Sequence, residues 1–243
     1  MNHTAAPDSP SASSFLTEEQ QRQIETYIKL LLKWRTRLNL TGIRDEAAAC
    51  EELVLRSLRI LAAADRIEGA RLIDVGTGAG IPGLALKIAA PALNVTLLDA
   101  TGKKIEFVRL AIRELGLREA IAVQGRAEEL GHQLNFRETY DFAVARSVGS
   151  LAELAELMLP FVKVDGWAIA LKSLDVGDEA KEARYAATEL GGSEYELREV
   201  ASPGSAPPDA LAISRKLHPT PRRFPRRVGI PHKRPLRASR AGH

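Results

Sequence analysis

Residues Leu72–Gly83 read LIDVGTGAGIPG, three apolar residues and one acid running into four glycines within eight positions. A glycine-rich turn after a strand lets the backbone come close to a ligand. Gly78, Gly80 and Gly83 have the G-x-G-x-x-G spacing of a dinucleotide fingerprint, a weak signal alone. Two neighbours argue against a pyrophosphate. Pro82, in the first helical turn, removes one N–H donor that a phosphate would use. Asp74 puts an acid where the anion would rest, in a cleft that screens repulsion poorly. A cationic ligand reverses the sign of that argument. S-adenosylmethionine, with an ammonium and a sulfonium, suits Asp74, Gly76 and Gly78 and is the expected cofactor.

A second acid, Asp99, ends the apolar run VTLLDA, 23 residues after Gly76. There a carboxylate can accept hydrogen bonds from both hydroxyls of a ribose, although NAD would use it too. A helix N-cap is the competing reading. After the next apolar run, GRAEEL places Ala127 and Glu128 in a turn whose backbone can meet an adenine, or simply start a charged helix. Arg146 and Lys172 each follow a further apolar run and are the candidates for the reacting end. A guanidinium fork at 146 suits a carboxylate, a phosphate or guanine O6; a surface ion pair is the alternative for both. The five histidines have no metal-ligand spacing, so no metal is expected. The single cysteine, Cys50, reads as a small buried apolar side chain and fits a reducing, cytoplasmic setting.

These residues need elements to hold them. Thr17 and Gln20 have capping-box spacing, and Ile24, Tyr27, Ile28, Leu31, Trp34 and Leu38 then keep helical rhythm. NLTGIRD breaks the rhythm, and a second helix is predicted over about 46–64. Strands follow near 71–75, 94–99, 120–124, 140–145, 166–172, 195–200 and 210–215, with helices over 81–90, 102–116, 149–159 and 176–190. The alternation predicts an α/β, Rossmann-like, doubly wound and mostly parallel sheet. The loop SPGSAPPDA predicts an antiparallel hairpin at its edge. Residues 1–14 read as a disordered lead-in, 15–68 as a helical cap, 69–217 as the sheet domain and 218–243 as a tail. No run approaches 18 apolar residues, so no membrane span is expected.

Charge is segregated along the chain. The net +3 conceals a stretch after Asp209 with ten Lys and Arg and no acid, which leaves the first 209 residues with 24 basic and 31 acidic groups. An acidic body with a basic end points to a polyanionic partner, against a merely solvated tail. Interleaved prolines in HPTPRRFPRRVGIPHKRPL predict an extended tail with its charges held outward. Nucleic acid is the expected partner.

Taken together, the residues resemble the small-subunit ribosomal RNA guanine-N7 methyltransferases, also called glucose-inhibited division protein B. The likeness spans about 17–237 and rests on KWRTRLNLT (33–41), LIDVGTGAGIPG (72–83), LLDATGKKIEFV (97–108), VARSVGSL (144–151), ALKS (170–173) and the Pro/Arg tail. It implies a Rossmann-like methyltransferase with a small N-terminal helical region. By position it places cofactor contacts on Gly76, Ile81, Ala127, Glu128 and Arg146. It also implies a guanine in small-subunit (16S) ribosomal RNA as substrate and the small ribosomal subunit as partner; a monomer is the expected working unit. The family's second helix carries Arg-His and then Asp-Ser; the corresponding positions here are Glu52, Leu53, Arg56 and Ser57, and ALKG has become ALKS.

Guanine N7 has an exposed lone pair at neutral pH and needs no general base, so holding donor and acceptor in line can carry the reaction. A divergent paralogue on another RNA, a small-molecule methyltransferase and a non-catalytic RNA-binding protein are the competing readings. The small-molecule reading leaves the tail unexplained, and the intact Asp74, glycine turn and Asp99 oppose the non-catalytic one. An NAD oxidoreductase comes last, for want of a second catalytic domain.

Overall fold

A cap of helices lies over one face of a seven-stranded sheet in the computed structural model, which describes residues 16–63, 67–146, 149–200 and 208–238. The expected lead-in at 1–14, most of the SPGSAPPDA loop, and Ser147 and Val148 lie outside the described residues. Helix α1 (Glu18–Leu38) starts where the capping box predicts. The Gln20 amide donates to Thr17 Oγ1 at 3.3 Å, and the Thr17 amide donates to Gln20 Oε1 at 2.8 Å. Its stripe of Ile24, Tyr27, Ile28 and Leu31 is buried, and Asn39 ends it in the left-handed conformation. The second cap segment is less regular than a single helix over 46–64. It runs as α2 (Glu46–Ala49), a π-helical stretch (Cys50–Leu55), α3 (Arg56–Leu58) and a 3₁₀ turn (Arg59–Ala63).

Strands β1 (Arg71–Val75), β2 (Asn94–Asp99), β3 (Ala120–Gln124), β4 (Tyr140–Arg146) and β5 (Val162–Ser173) are joined in parallel. β7 (Asp209–Arg215) runs antiparallel to β5 and to β6 (Glu196–Val200), giving the order β3-β2-β1-β4-β5-β7-β6. The expected edge hairpin is therefore present. β5 starts four residues before its apolar run because Val162 pairs with Tyr140 ahead of a register shift.

Alternation along each strand sends side chains to two cores. Leu72, Val95, Leu97, Val144 and Ile169 face the cap, α4 (Gly83–Ala89) and α5 (Gly102–Glu114). Ile73, Val75, Leu98, Ala143 and Ala145 face α6 (Ala127–Leu130), α7 (Leu151–Met158) and α8 (Gly177–Glu189). The cap thus completes the core of one sheet face.

The Pro/Arg segment does not stand clear of the body. Lys216 is fully buried; its Nζ donates to Leu159 O and Thr220 Oγ1, each at 2.6 Å, and lies 3.1 Å from Glu138 Oε1. Burial pushes its pKa down to about 8 against the pull of Glu138. Arg137 donates to the carbonyls of Thr220 at 2.6 Å and Phe224 at 2.9 Å. Arg226 clasps the buried Glu156 through Nε and Nη2, and α9 (Ile230–Lys233) lies against α7. Prolines deny the segment a backbone ladder of its own, so side chains of the body satisfy its carbonyls.

Candidate functional site

The carboxyl ends of β1, β2, β3 and β4 open into a cavity of about 680 Å³, where ligands of open α/β sheets are bound. Its floor is the glycine turn. Gly76 and Thr77 donate their amides to Leu98 O at 2.8 and 2.9 Å, anchoring the turn to β2. Gly76, Gly78 and Gly80 have φ of +75°, +57° and +96°, values that side-chain-bearing residues rarely adopt. Gly83 answers a different need. A Cβ there would stand 2.7 Å from Leu97 Cδ2 and 2.8 Å from Asp74 Oδ2, so only glycine lets α4 sit this close to the strands.

Asp74 is fully buried behind the turn and does not face the cavity. Its Oδ2 accepts from Thr77 Oγ1 at 2.5 Å and from the Gly83 amide at 2.8 Å, bracing both ends of the turn. Burial raises its pKa to about 7, moderated by those two bonds, with nearby Asp99 adding to the rise. Its Oδ1 is buried and has no partner within the protein. That orphaned acceptor lies beneath the turn and off the cavity, so the direct cofactor contact expected of Asp74 is not formed: the turn's backbone and Asp99 are what a ligand in the cavity meets, and Asp74 braces the turn from behind.

Asp99 faces the cavity. Its Oδ2 accepts from the Gly78 amide at 3.0 Å and its Oδ1 from the Thr101 amide at 2.8 Å. Each oxygen keeps a lone pair for a ligand hydroxyl. The N-cap of α5 is Thr101, not Asp99. Ala127 and Glu128 form the first turn of α6 on the far wall, and Glu128 Oε1 accepts from the Gly229 amide at 2.9 Å.

Arg146 ends β4 and reaches under the cap. It donates to Leu53 O at 3.0 Å, Ser57 Oγ at 3.2 Å and Glu52 O at 2.5 Å. Glu52 and Leu53 belong to the π-helical stretch, where the widened turn leaves carbonyls for an outside donor. Burial, with nearby Arg56 next, lowers the Arg146 pKa to about 10. Arg56 is held in turn by Asp209 of β7, through Nε at 2.7 Å and Nη2 at 2.5 Å, and Arg59 pairs with the same carboxylate.

Comparison with known proteins gives the chain its family. The family model described as rRNA small subunit methyltransferase G matches residues 20–205. The chain belongs to that family. It is 40% identical over 222 residues to the ribosomal RNA small subunit methyltransferase G of Alkaliphilus metalliredigens, covering 91% of this chain and 93% of that one. It is 43% identical to the protein of the same name from Chloroflexus aggregans, covering 91% and 92%. Among solved structures, the S-adenosylmethionine-dependent methyltransferase SibL in its apo form superposes with a TM-score of 0.53 at 17% identity, over 81% of this chain and 70% of that one. TrmN from Thermus thermophilus does so with 0.51 at 23% identity, over 67% and 48%. These two likenesses bear on the fold alone, which is Rossmann-like.

Within this methyltransferase the cavity gathers Gly76, Gly78, Ile81, Asp99, Ala127, Glu128 and Arg146. Lys172 lies outside it. Its Nζ is 3.0 Å from Glu179 Oε1 and donates to Gly149 O at 3.1 Å. The three positions that differ from the second-helix signature, Glu52, Leu53 and Arg56, and the shared Ser57 all meet partners. Glu52 and Leu53 offer carbonyls and Ser57 a hydroxyl to Arg146, while the positive charge of Arg56 is met by Asp209.

Other walls were not legible in the sequence. Leu40 and Leu53 of the cap, and Glu153 and Leu157 of α7, face the cavity together with Gly229 and His232 of the tail. His232 Nδ1 lies 3.1 Å from Glu153 Oε2. Tyr27, on the apolar stripe of α1, donates its hydroxyl to Ala79 O in the glycine turn at 2.9 Å. Burial, with Asp74 nearby, raises that phenol's pKa far above its ordinary value. Its only sequence signal is a polar tip among aliphatic neighbours. Among the described residues no His, Cys, Asp and Glu group is arranged to hold a metal ion, and no helix is long and apolar enough to cross a membrane.

Proposed function

We propose that this methyltransferase places a methyl group from S-adenosylmethionine on N7 of a guanine in 16S ribosomal RNA, working as a cytoplasmic monomer without a metal. The observation that carries the reading is the shared cavity. Its inner wall offers the glycine turn, braced from behind by Asp74, and the hydroxyl-accepting carboxylate of Asp99, a set matched to the ribose of a nucleoside. Its outer wall offers Arg146 and the cap leucines to a second molecule. When bound, the cofactor supplies a methyl group made electrophilic by a sulfonium.

The protein's part is then orientation. Guanine N7 presents its lone pair without deprotonation, and alignment alone can contribute roughly 7–11 kcal/mol. The cap carbonyls hold Arg146 at the junction of the two walls, where its free edge faces the cavity. In this reading residues 15–68 cap a catalytic domain of residues 69–217, and residues 218–243 approach the RNA.

The test is transfer of labelled methyl groups to small ribosomal subunits and to protein-free 16S RNA, followed by chemical cleavage at N7-methylguanine. One labelled guanine is expected. Label on another base, or on small molecules alone, would reject the reading.

A further inference from the structure

The C-terminal segment presents two different faces. Its inner face helps to build the cofactor cavity: the Gly229 amide donates to Glu128 Oε1 at 2.9 Å, and His232 meets the carboxylate of Glu153. Both contact residues, Gly229 and His232, line that cavity. The segment is held ahead of this contact by buried Lys216 and the Arg226–Glu156 pair, and just beyond it by Arg226 Nη2, which donates to Arg234 O at 2.8 Å. Its outer face carries Arg222, Arg227, Lys233, Arg234 and Arg237, all exposed. None of these five is among the ion pairs found between described residues, whereas Arg223 and Arg226 are paired with Glu189 and Glu156.

We propose that this strap couples the two substrates: RNA phosphates dock on its outer cations, and the docked strap secures the bound cofactor through Gly229 and His232. The inference rests on the RNA-methylating reading above. Charge complementarity selects the outer partner. Five exposed cations without acids, on a chain whose first 209 residues are net acidic, form a surface suited to a polyphosphate backbone. Direct contact selects the inner one, because the same short segment supplies two cavity walls. Ligands on the two faces both require the strap in the position that sets Gly229 and His232 against the cavity, so each favours the arrangement the other binds. Thermodynamic linkage then makes the effect reciprocal: RNA tightens cofactor binding by the factor by which the cofactor tightens RNA binding.

The experiment uses the full chain, protein-free 16S RNA and S-adenosylhomocysteine, which cannot react. Calorimetry gives S-adenosylhomocysteine affinity with and without saturating RNA, and filter binding gives RNA affinity with and without S-adenosylhomocysteine. The wild type is expected to show the same gain, of roughly fivefold or more, in both directions. Arg227→Gln/Lys233→Gln/Arg234→Gln should weaken RNA binding at least tenfold and flatten its log–log salt slope by about 0.7 per lost contact. It should leave S-adenosylhomocysteine affinity without RNA unchanged. His232→Ala should keep RNA affinity in the absence of S-adenosylhomocysteine within about twofold and lose most of the mutual gain. Circular dichroism checks that both variants are folded. Wild-type protein that methylates RNA but shows equal S-adenosylhomocysteine affinity with and without it would overturn the coupling alone. Unaltered RNA affinity in the triple variant would overturn the docking surface. Wild-type protein that neither binds nor methylates 16S RNA would instead overturn the proposed function beneath both.

Discussion

Replacing Gly83 by alanine tests whether close approach of α4 to the strands sets the cofactor turn. The added Cβ would stand 2.7 Å from Leu97 Cδ2, 2.8 Å from Asp74 Oδ2 and 3.0 Å from Asp74 Cβ. The second of these is about 0.6 Å short of ordinary van der Waals contact. Leu97 and Asp74 are both fully buried, so neither can swing into solvent. Alanine at a helical position recovers at most about 1 kcal/mol of backbone entropy. Against that, overpacking costs about 1–3 kcal/mol, and displacing Asp74 from the Gly83 amide or Thr77 hydroxyl costs about 1–3 kcal/mol more. The net expectation is a loss of about 2–3 kcal/mol, which lowers the melting temperature by roughly 5–10 °C in a chain of this size. S-adenosylhomocysteine affinity should fall at least tenfold, because the turn that floors the cavity moves with the Asp74 carboxylate that braces it. Gly42→Ala is the control: nothing lies within 4 Å of its Cβ. Urea unfolding and calorimetry on both variants decide the matter. A wild-type midpoint and affinity in Gly83→Ala, or equal losses in Gly42→Ala, would refute the reasoning.

Asp74 also fixes a pH dependence. Its folded pKa of about 7 lies above the unfolded value of 3.8, so between them the folded state holds the extra proton and stability falls as pH rises. Urea midpoints from pH 5 to 8 should show that fall in the wild type and a flatter profile in Asp74→Asn. Asp209→Asn removes the acid shared by Arg56 and Arg59 and should cost about 3–5 kcal/mol, the usual penalty for breaking a buried pair, read by chemical denaturation. Arg146→Ala should cut methyl transfer far more than Lys172→Ala, because only Arg146 reaches the cavity; equal turnover in the two would remove Arg146 from the reacting edge.

The strands and the glycine turn with its two flanking acids were readable from the chain itself, because both depend on short-range order. Apolar alternation places β1 through β7, and the spacing of Asp74, the glycines and Asp99 follows from one strand-turn-helix unit and its neighbour. Only the folded structure decided which charges meet. Arg56 finds Asp209 across 153 positions, and Arg226 finds Glu156 across 70. With 34 Lys and Arg and 31 Asp and Glu, spacing along the chain cannot select those pairs. Leu40, Leu53 and Tyr27 were hidden for a related reason: an apolar residue on a helix looks the same whether it faces a core or a ligand. The tail shows the limit most clearly. Its composition specifies charge and a lack of backbone ladder, but Arg137, Glu138 and Glu156 of the body capture it, and their positions exist only once the sheet and α7 have formed.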